Sequence, residues 1–352
     1  MGQPTLRTKF ITTLGPASMN YETMRKLAEN GANMFRANFV HMQYDMYRQV
    51  KAWTEQINRE LGIWVQLQAD IQGPSIRMGA LDEGGFPLVE GQEYIFVTGR
   101  DDREGMAENE LPINDVSIYP HIQIGHPITF MNGALAGEVV GKDDGKLWVK
   151  MSTGGSLKSH KQINLPETEL STSLTEKDRK DLAFLMEAGV DWVAISFVSR
   201  ASHIQEVREI IGNRPTKIMS KIERKSAVAN LEEIALASDA LMVARGDLGI
   251  ELPFQDVPFV QKDIIAIGHH HNKPVVVATQ MELSMVQSLR PTRAEVSDVA
   301  HAVLEGADAT MLSEESAEGI DPANALHTMF TIAKRAEEYK YGQENRFNQF
   351  WK

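Results

Sequence analysis

Eight short apolar runs, rich in β-branched residues, recur along the chain: Phe10 to Thr13, Met34 to Phe39, Trp64 to Ala69, Trp192 to Ile195, Lys217 to Ile222, Ala240 to Val243, Pro274 to Ala278 and Thr310 to Leu312. Runs of this length and composition predict buried strands. Between them apolar residues return every three or four positions, which predicts amphipathic helices over Tyr21 to Asn30, Tyr44 to Leu61, Glu176 to Ala188, Ala201 to Ile211, Asp256 to His269 and Arg293 to Leu304, with a last one over Pro322 to Glu338. Strands alternating with helices argue for an α/β fold, and eight of them suit a closed (β/α)8 TIM barrel. Polar residues gather just beyond the carboxyl ends of the runs: Arg36 and Asn38, Asp70, Ser196, Lys221 and Glu223, Arg245 to Asp247, Thr279 and Gln280, and Ser313. That is the face on which such barrels carry their sites.

One interval breaks the rhythm. From about Gly79 to Leu165 the helical period disappears, and short alternating segments (Tyr94 to Val97, Ile128 to Phe130, Leu147 to Met151) are separated by glycine-rich turns. The expectation is a small all-β domain inserted after barrel strand 3, at residues 79–165. Residues 1–78 and 166–340 then form the barrel, and 341–352 a C-terminal tail. Loops at the carboxyl face of a barrel usually carry function, so the insert reads as a lid that excludes water rather than as decoration.

The sharpest chemistry lies at Ser220-Lys221-Ile222-Glu223 and Ala244-Arg245-Gly246-Asp247, where charged groups end strands of buried type. Residues two apart in a strand share a face, so Lys221 and Glu223 point the same way. Glu223 and Asp247 could then share an oxygen-ligated divalent metal holding a phosphorylated or enolisable substrate. The bland alternative is a satisfied buried ion pair, costly without a function.

Composition narrows the partners. A net charge of −12 opposes a nucleic-acid or anionic-membrane partner, and the absence of cysteine excludes disulfides, zinc–thiolate sites and thiol nucleophiles. With no apolar run at the start resembling a signal peptide and none approaching a membrane span, the expected location is cytoplasmic. His269-His270-His271 could suggest metal, but adjacent helical residues face different directions, and imidazoles favour helix C-termini, so the run reads as a cap.

Across nearly its whole length the chain resembles the pyruvate kinase family. The motifs are Thr13-Leu14-Gly15-Pro16-Ala17-Ser18, Arg36-Ala37-Asn38-Phe39, Asp70-Ile71-Gln72-Gly73-Pro74-Ser75-Ile76-Arg77, Ser220 to Glu223, Ala244 to Gly249, Ala278-Thr279-Gln280-Met281, Arg290 to Glu295 and Met311-Leu312-Ser313, in the family's order. The resemblance implies phosphoryl transfer from phosphoenolpyruvate to ADP, giving pyruvate and ATP, with Mg²⁺ or Mn²⁺ as cofactor. It implies that Arg36 binds the moving phosphoryl group and Arg77 the nucleotide phosphates, tasks suited to a guanidinium fork. Lys221 would neutralise charge growing on the enolate oxygen. Glu223 and Asp247 would hold the metal, while Gly246 and Asp247 amides with Thr279 would receive the substrate carboxylate beside Ser196. Thr279 and Ser313 would lie on the proton path, and Pro16, His41 and Lys161 of the lid would flank the nucleotide.

Departures from the family pattern accompany the match. Val40 stands where the family carries a serine that ligates a monovalent cation, which leaves Asn38 and Asp70 as an incomplete potassium site, and Ser75 is neither the glutamate nor the lysine usual there. Potassium dependence is therefore left open by the sequence. Met131-Asn132-Gly133 replaces an Asp-Asp-Gly of the lid, and Gln72 and Glu314 replace a lysine and a glycine. These changes keep two other readings open: an Mg-dependent aldolase or lyase acting on a 2-oxo acid, and a catalytically weakened paralogue that binds a metabolite as a regulator. The chain ends soon after the eighth helix, where family members continue into an effector domain, so allosteric control by sugar phosphates is not expected. Aromatics at Phe347, Phe350 and Trp351 suggest a docking tail, and a homodimer through the barrel is the expected assembly.

Overall fold

In a computed structural model, which describes residues 6–74, 76–131, 133–168 and 174–341, the first three apolar runs form β1 (Lys9–Leu14), β2 (Met34–Asn38) and β3 (Gln66–Ile71). Eight strands follow: β4 (Phe86–Leu88), β5 (Glu93–Thr98), β6 (Glu110–Ile113), β7 (Pro127–Phe130), β8 (Leu135–Asp143), β9 (Lys146–Met151), β10 (Gly155–Leu157) and β11 (Ile163–Asn164). The remaining apolar runs form β12 (Trp192–Ile195), β13 (Lys217–Ile222), β14 (Ala240–Ala244), β15 (Val275–Ala278) and β16 (Ala309–Leu312). The helices among the described residues are α1 (Tyr21–Glu29), α2 (Tyr44–Leu61), α3 (Glu176–Ala188), α4 (Ala201–Ile211), α5 (Lys225–Ala229), α6 (Leu231–Ala237), α7 (Arg245–Glu251), α8 (Val257–His270), α9 (Arg293–Glu305), α10 (Glu314–Ala317) and α11 (Pro322–Tyr341). The aromatics at Phe347, Phe350 and Trp351, like Ser75 and Asn132, lie outside the described residues.

Strands β1, β2, β3, β12, β13, β14, β15 and β16 close into a barrel in that order, with every neighbouring pair parallel. Strand alternation sorts the side chains. Ile11, Met34, Trp192, Ala194, Met219, Ala240, Met242, Val276, Ala278, Ala309 and Met311 pack together, one set of alternate positions that points inward. Their neighbours, such as Phe35, Ile218, Ile222 and Val277, pack with the helices. Local signals place the helix ends. Thr175 and Asp178 cap α3 reciprocally, as Thr292 and Glu295 cap α9, and Gly62 takes the left-handed turn that ends α2. The one barrel strand that starts more than a residue late is β3: Trp64, 73% exposed, lies before it rather than in it.

Strands β4 to β11 build a separate unit: a six-stranded sheet in the order β11-β7-β8-β9-β5-β6 and the pair β10-β4. Its own core includes Phe96 stacked on Phe130 at 5.0 Å, with Ile128, Val139, Leu147 and Val149. Bridges Arg77↔Gln162 and Met78↔Ile113 bind the chain leaving β3 to this sheet. Among the described residues no helix is long and apolar enough to cross a membrane.

Candidate active site

The inward face of β13 carries Met219 and Lys221, and the next position on that face is Glu223. Lys221 Nζ lies 2.8 Å from Glu223 Oε1 and 3.3 Å from Asp70 Oδ1, and it donates to Ser196 Oγ at 2.8 Å. Arg36, two residues along the inward face of β2 from Met34, reaches Asp70 Oδ2 through Nε at 2.7 Å and donates from Nη1 to Thr13 Oγ1 at 3.1 Å. Three strands, β2, β3 and β13, thus deliver two cations and two carboxylates to one small volume. All but Arg36 are buried, so their charges are tolerated only because each has a partner.

The electrostatics follow from that arrangement. Burial is the largest influence on Asp70 and would raise its pKa, but Arg36 and Lys221 together hold it below the ordinary carboxylate value. Burial would likewise lower Lys221, and Asp70 with Glu223 more than offsets it, so the ammonium stays charged. Glu223 is pushed up to about 7, first by burial and then by Asp247, against the pull of Lys221 and the Phe197 amide. A carboxyl raised by a second carboxylate is one that a shared cation would satisfy, and both line the same cavity. The donor set at that point is carboxylate oxygen, which suits a hard ion of the magnesium class.

Three residues beside the site have forced backbones. Phe197 has φ 56° and donates its N–H to Glu223 Oε2 at 2.7 Å. Thr279 has φ 68° and Gln280 φ 54°, the left-handed region, which is uncommon for a β-branched residue. Strain of this kind persists only where surroundings fix it, and it clusters at functional sites. Here the fixing group is Arg245, which donates from Nη2 to Thr279 O at 2.8 Å and from Nε to Ala278 O at 3.1 Å, while Nη1 pairs with Asp298 at 2.6 Å. The turn aims the Thr279 hydroxyl at the start of α7, where it accepts the Gly246 N–H at 2.8 Å. Gly15 must be glycine, because a Cβ there would lie 2.7 Å from Ala317 O.

These groups open into a cavity of about 720 Å³. Its floor holds Arg36, Asn38, Lys221, Glu223, Asp247, Thr279 and Ser313, and its flank holds Pro16 and His41 with Met42 and Met46. Ser196, Asp70 and Gly246 stand behind the floor, in contact with Lys221 and Thr279. Arg77 and Lys161 are not among the lining residues. Arg77 Nη1 donates to His160 O at 3.1 Å, and the exposed Lys161 takes part through its carbonyl, which accepts from Met78 N–H. From the same segment Gln162 Nε2 reaches Asp247 Oδ1 at 3.4 Å, so the inserted sheet touches the barrel site. Glu314 lines the cavity near Pro16. Asn38 Oδ1 accepts from Val40 N–H at 3.1 Å.

Sequence reasoning left several participants unassigned. Arg245 was visible within an Arg-Gly-Asp triplet, but its backbone acceptors become visible only after folding. Gln162 carries no motif. Glu282, fully buried, has neither carboxylate oxygen hydrogen-bonded among the described residues. Its own N–H donates to Glu315 Oε1 at 3.0 Å, and Glu315 Oε2 accepts from Ser313 N–H at 2.7 Å. This links the Thr279 and Ser313 loops behind the floor.

Comparison with known proteins gives one consistent answer. The family profile described as the pyruvate kinase barrel domain matches residues 5–326. A pyruvate kinase of Agrobacterium vitis is 42% identical over 340 residues, covering 95% of this chain and 69% of the relative. One from Corynebacterium efficiens is 39% identical over 334 residues, covering 94% of this chain and 70% of the relative. The crystal structure of a pyruvate kinase from Cryptosporidium parvum superposes with a TM-score of 0.88 at 32% identity, covering 94% of this chain and 69% of that one.

Proposed function

The chain belongs to the pyruvate kinase family, and we infer that its reaction, transfer of the phosphoryl group of phosphoenolpyruvate to ADP to give pyruvate and ATP, runs at the barrel mouth on the side chains just described. The observation that carries this reading is Lys221, a buried ammonium kept charged by Asp70 and Glu223 on the cavity floor. Such a cation stabilises an enolate oxygen with no reorganisation at the moment of transfer.

Each residue has a task in this reading. Arg36, its fork fixed by Asp70 and Thr13, meets the moving phosphoryl group. The amides of Gly246 and Asp247, with the Thr279 hydroxyl now bonded to Gly246 N–H, receive the substrate carboxylate. Ser196 orients Lys221. Thr279 and Ser313 lie on the route of the proton that converts the enolate to pyruvate. Glu223 and Asp247, two carboxylates lining one cavity, would hold a Mg²⁺ or Mn²⁺ ion, which would supply positive charge to offset that of the anionic substrate. Pro16 and His41, beside Met42 and Met46, offer the nucleotide a partly apolar wall. Arg77 and Lys161 would reach the nucleotide by closure of the inserted sheet unit, whose present contact with the barrel site is Gln162 on Asp247. Asp70 balances the charge of Arg36 and Lys221 while the Asn38 oxygen accepts from Val40 N–H, with potassium dispensable. A cytoplasmic setting and a homodimer through the barrel complete the reading.

The test is pyruvate formation from phosphoenolpyruvate and ADP with Mg²⁺, in sodium and in potassium, beside a Lys221→Ala control. Turnover abolished in the control is the expected result. No turnover from a folded wild-type chain in either salt would overturn it.

A further inference from the structure

Adjacent residues inside a continuing α-helix point about 100° apart, so His270 and His271 should not meet. They do, at the C-terminal end of α8. His271 is the C-cap, at φ −96° and ψ 11°, with its N–H turned back to the carbonyls of Ile267 and Gly268. Its ring packs edge-on against that of His270, the centroids 4.8 Å apart and the planes at 82°. Glu232, in the first turn of α6, faces the pair, and His271 Nε2 lies 2.7 Å from Glu232 Oε1. One ligand atom from each of Glu232, His270 and His271 lies within 4.8 Å of the other two.

We propose that Glu232, His270 and His271 form a surface site for a divalent transition ion of the zinc class, which clasps the C-terminal end of α8 to α6. Two imidazoles and a carboxylate are a donor set that selects zinc, nickel, cobalt or copper over magnesium and calcium. A tetrahedral ion with bonds of about 2.0–2.2 Å needs its ligand atoms roughly 3.4 Å apart. Reaching that spacing asks for movements of about an ångström, and His270 and Glu232 are exposed while His271 is held half-buried at the cap. Three protein ligands leave a fourth position open to water. Without metal, the His271 Nε2–H donates to Glu232 Oε1, and a bound ion would take the place of that proton.

The site is separate from the barrel mouth. The C-terminal end of α8 leads into the amino end of β15, the opposite end of the barrel from Glu223 and Asp247. The two sites also differ in donors, oxygen alone at the mouth and nitrogen with oxygen here. That difference allows them to be titrated apart.

The full chain, saturated with Mg²⁺ to occupy the mouth, is titrated with Zn²⁺ by calorimetry, beside His270→Ala and Glu232→Gln. One zinc per chain at micromolar concentration is expected in the wild type, weakened about tenfold or more in both variants, with a zinc-dependent rise in melting temperature that both variants lose. Unchanged pyruvate formation by the variants establishes that they are folded. A wild-type chain that takes up no zinc under these conditions overturns the site. So does zinc bound as tightly by either variant as by the wild type.

Discussion

Arg245 Nη2 donates to the carbonyl of Thr279 at 2.8 Å and so holds a β-branched residue at φ 68°. The arginine is a positioning residue. Lysine cannot span the carbonyls of Ala278 and Thr279 together with Asp298. Arg245→Lys is expected to lower kcat by roughly 10²-fold, the scale of an ångström of misplacement, with a smaller change in KM for phosphoenolpyruvate. Stability should fall by about 2 kcal/mol from the orphaned carbonyls and Asp298. Steady-state kinetics with thermal unfolding would decide it, and a variant with full kcat would remove Arg245 from the site.

Replacing Lys221 by Met keeps the length of the side chain and removes the charge. Loss of preorganised charge stabilisation is expected to cost about 10²–10³-fold in kcat. Asp70 and Glu223 would then face each other across the floor with Arg36 as the nearest remaining cation. The variant should therefore also unfold more readily at neutral pH than at mildly acidic pH, where those carboxyls can take protons. Equal melting at both would argue that Lys221 does not hold the pair.

Glu282 gives the protein a distinct pH response. Burial, then Glu315 and Glu295, pushes its carboxyl up to about 8 from an ordinary value of 4.5. A group raised on folding binds its proton more tightly in the native state. Its contribution is therefore full below about pH 4.5 and is lost as pH rises toward 8. Glu282→Gln keeps the shape of the neutral acid and cannot ionise. The variant should flatten the decline in stability between those limits and be more stable than wild type at pH 8 by a few kcal/mol. Parallel denaturation curves for the two proteins across that range would show that Glu282 does not titrate there.

Potassium should be dispensable. The Asn38 oxygen is bonded to Val40 N–H, Asp70 is taken by Arg36 and Lys221, and the Phe39 carbonyl accepts from Lys177 Nζ at 2.6 Å. Val40 brings no further oxygen. Turnover in sodium and potassium chloride at matched ionic strength is expected to agree within about twofold, since the attraction a bound cation would supply is already met by fixed side chains. A tenfold stimulation by potassium would mean that these oxygens release their partners to bind it.

The barrel was legible because its strands are continuous apolar runs, and seven of the eight begin within a residue of the expected position. Lys221 and Glu223 were legible because a two-residue period cannot hide a pair of charges. In the inserted sheet the signal fails. Strand β8 runs Leu-Ala-Gly-Glu-Val-Val-Gly-Lys-Asp with a bulge between Val139 and Gly141, and β6 contains a proline, so neither keeps a clean alternation. Partners fixed by tertiary contact were invisible for a different reason. Nothing local distinguishes Gln162 from any polar loop residue, or Glu282 from a solvated glutamate. The histidine run shows a converse limit: the cap lies at the end of α8 as read, but the rings of His270 and His271 meet all the same, so the argument that neighbours diverge does not hold there.

Strands β3 and β12 are side by side, yet the Asp70 and Ser196 that they bring together are 126 residues apart in the chain. Closing so long a loop as an open coil is entropically costly and slow. The intervening sheet has its own apolar core, and once it folds it brings the two ends of the insertion together. Barrel closure then inherits a short connection in place of a long one. Substitutions at the Phe96–Phe130 stack should accordingly slow refolding of the barrel while leaving the chemistry at its mouth intact once closure is complete.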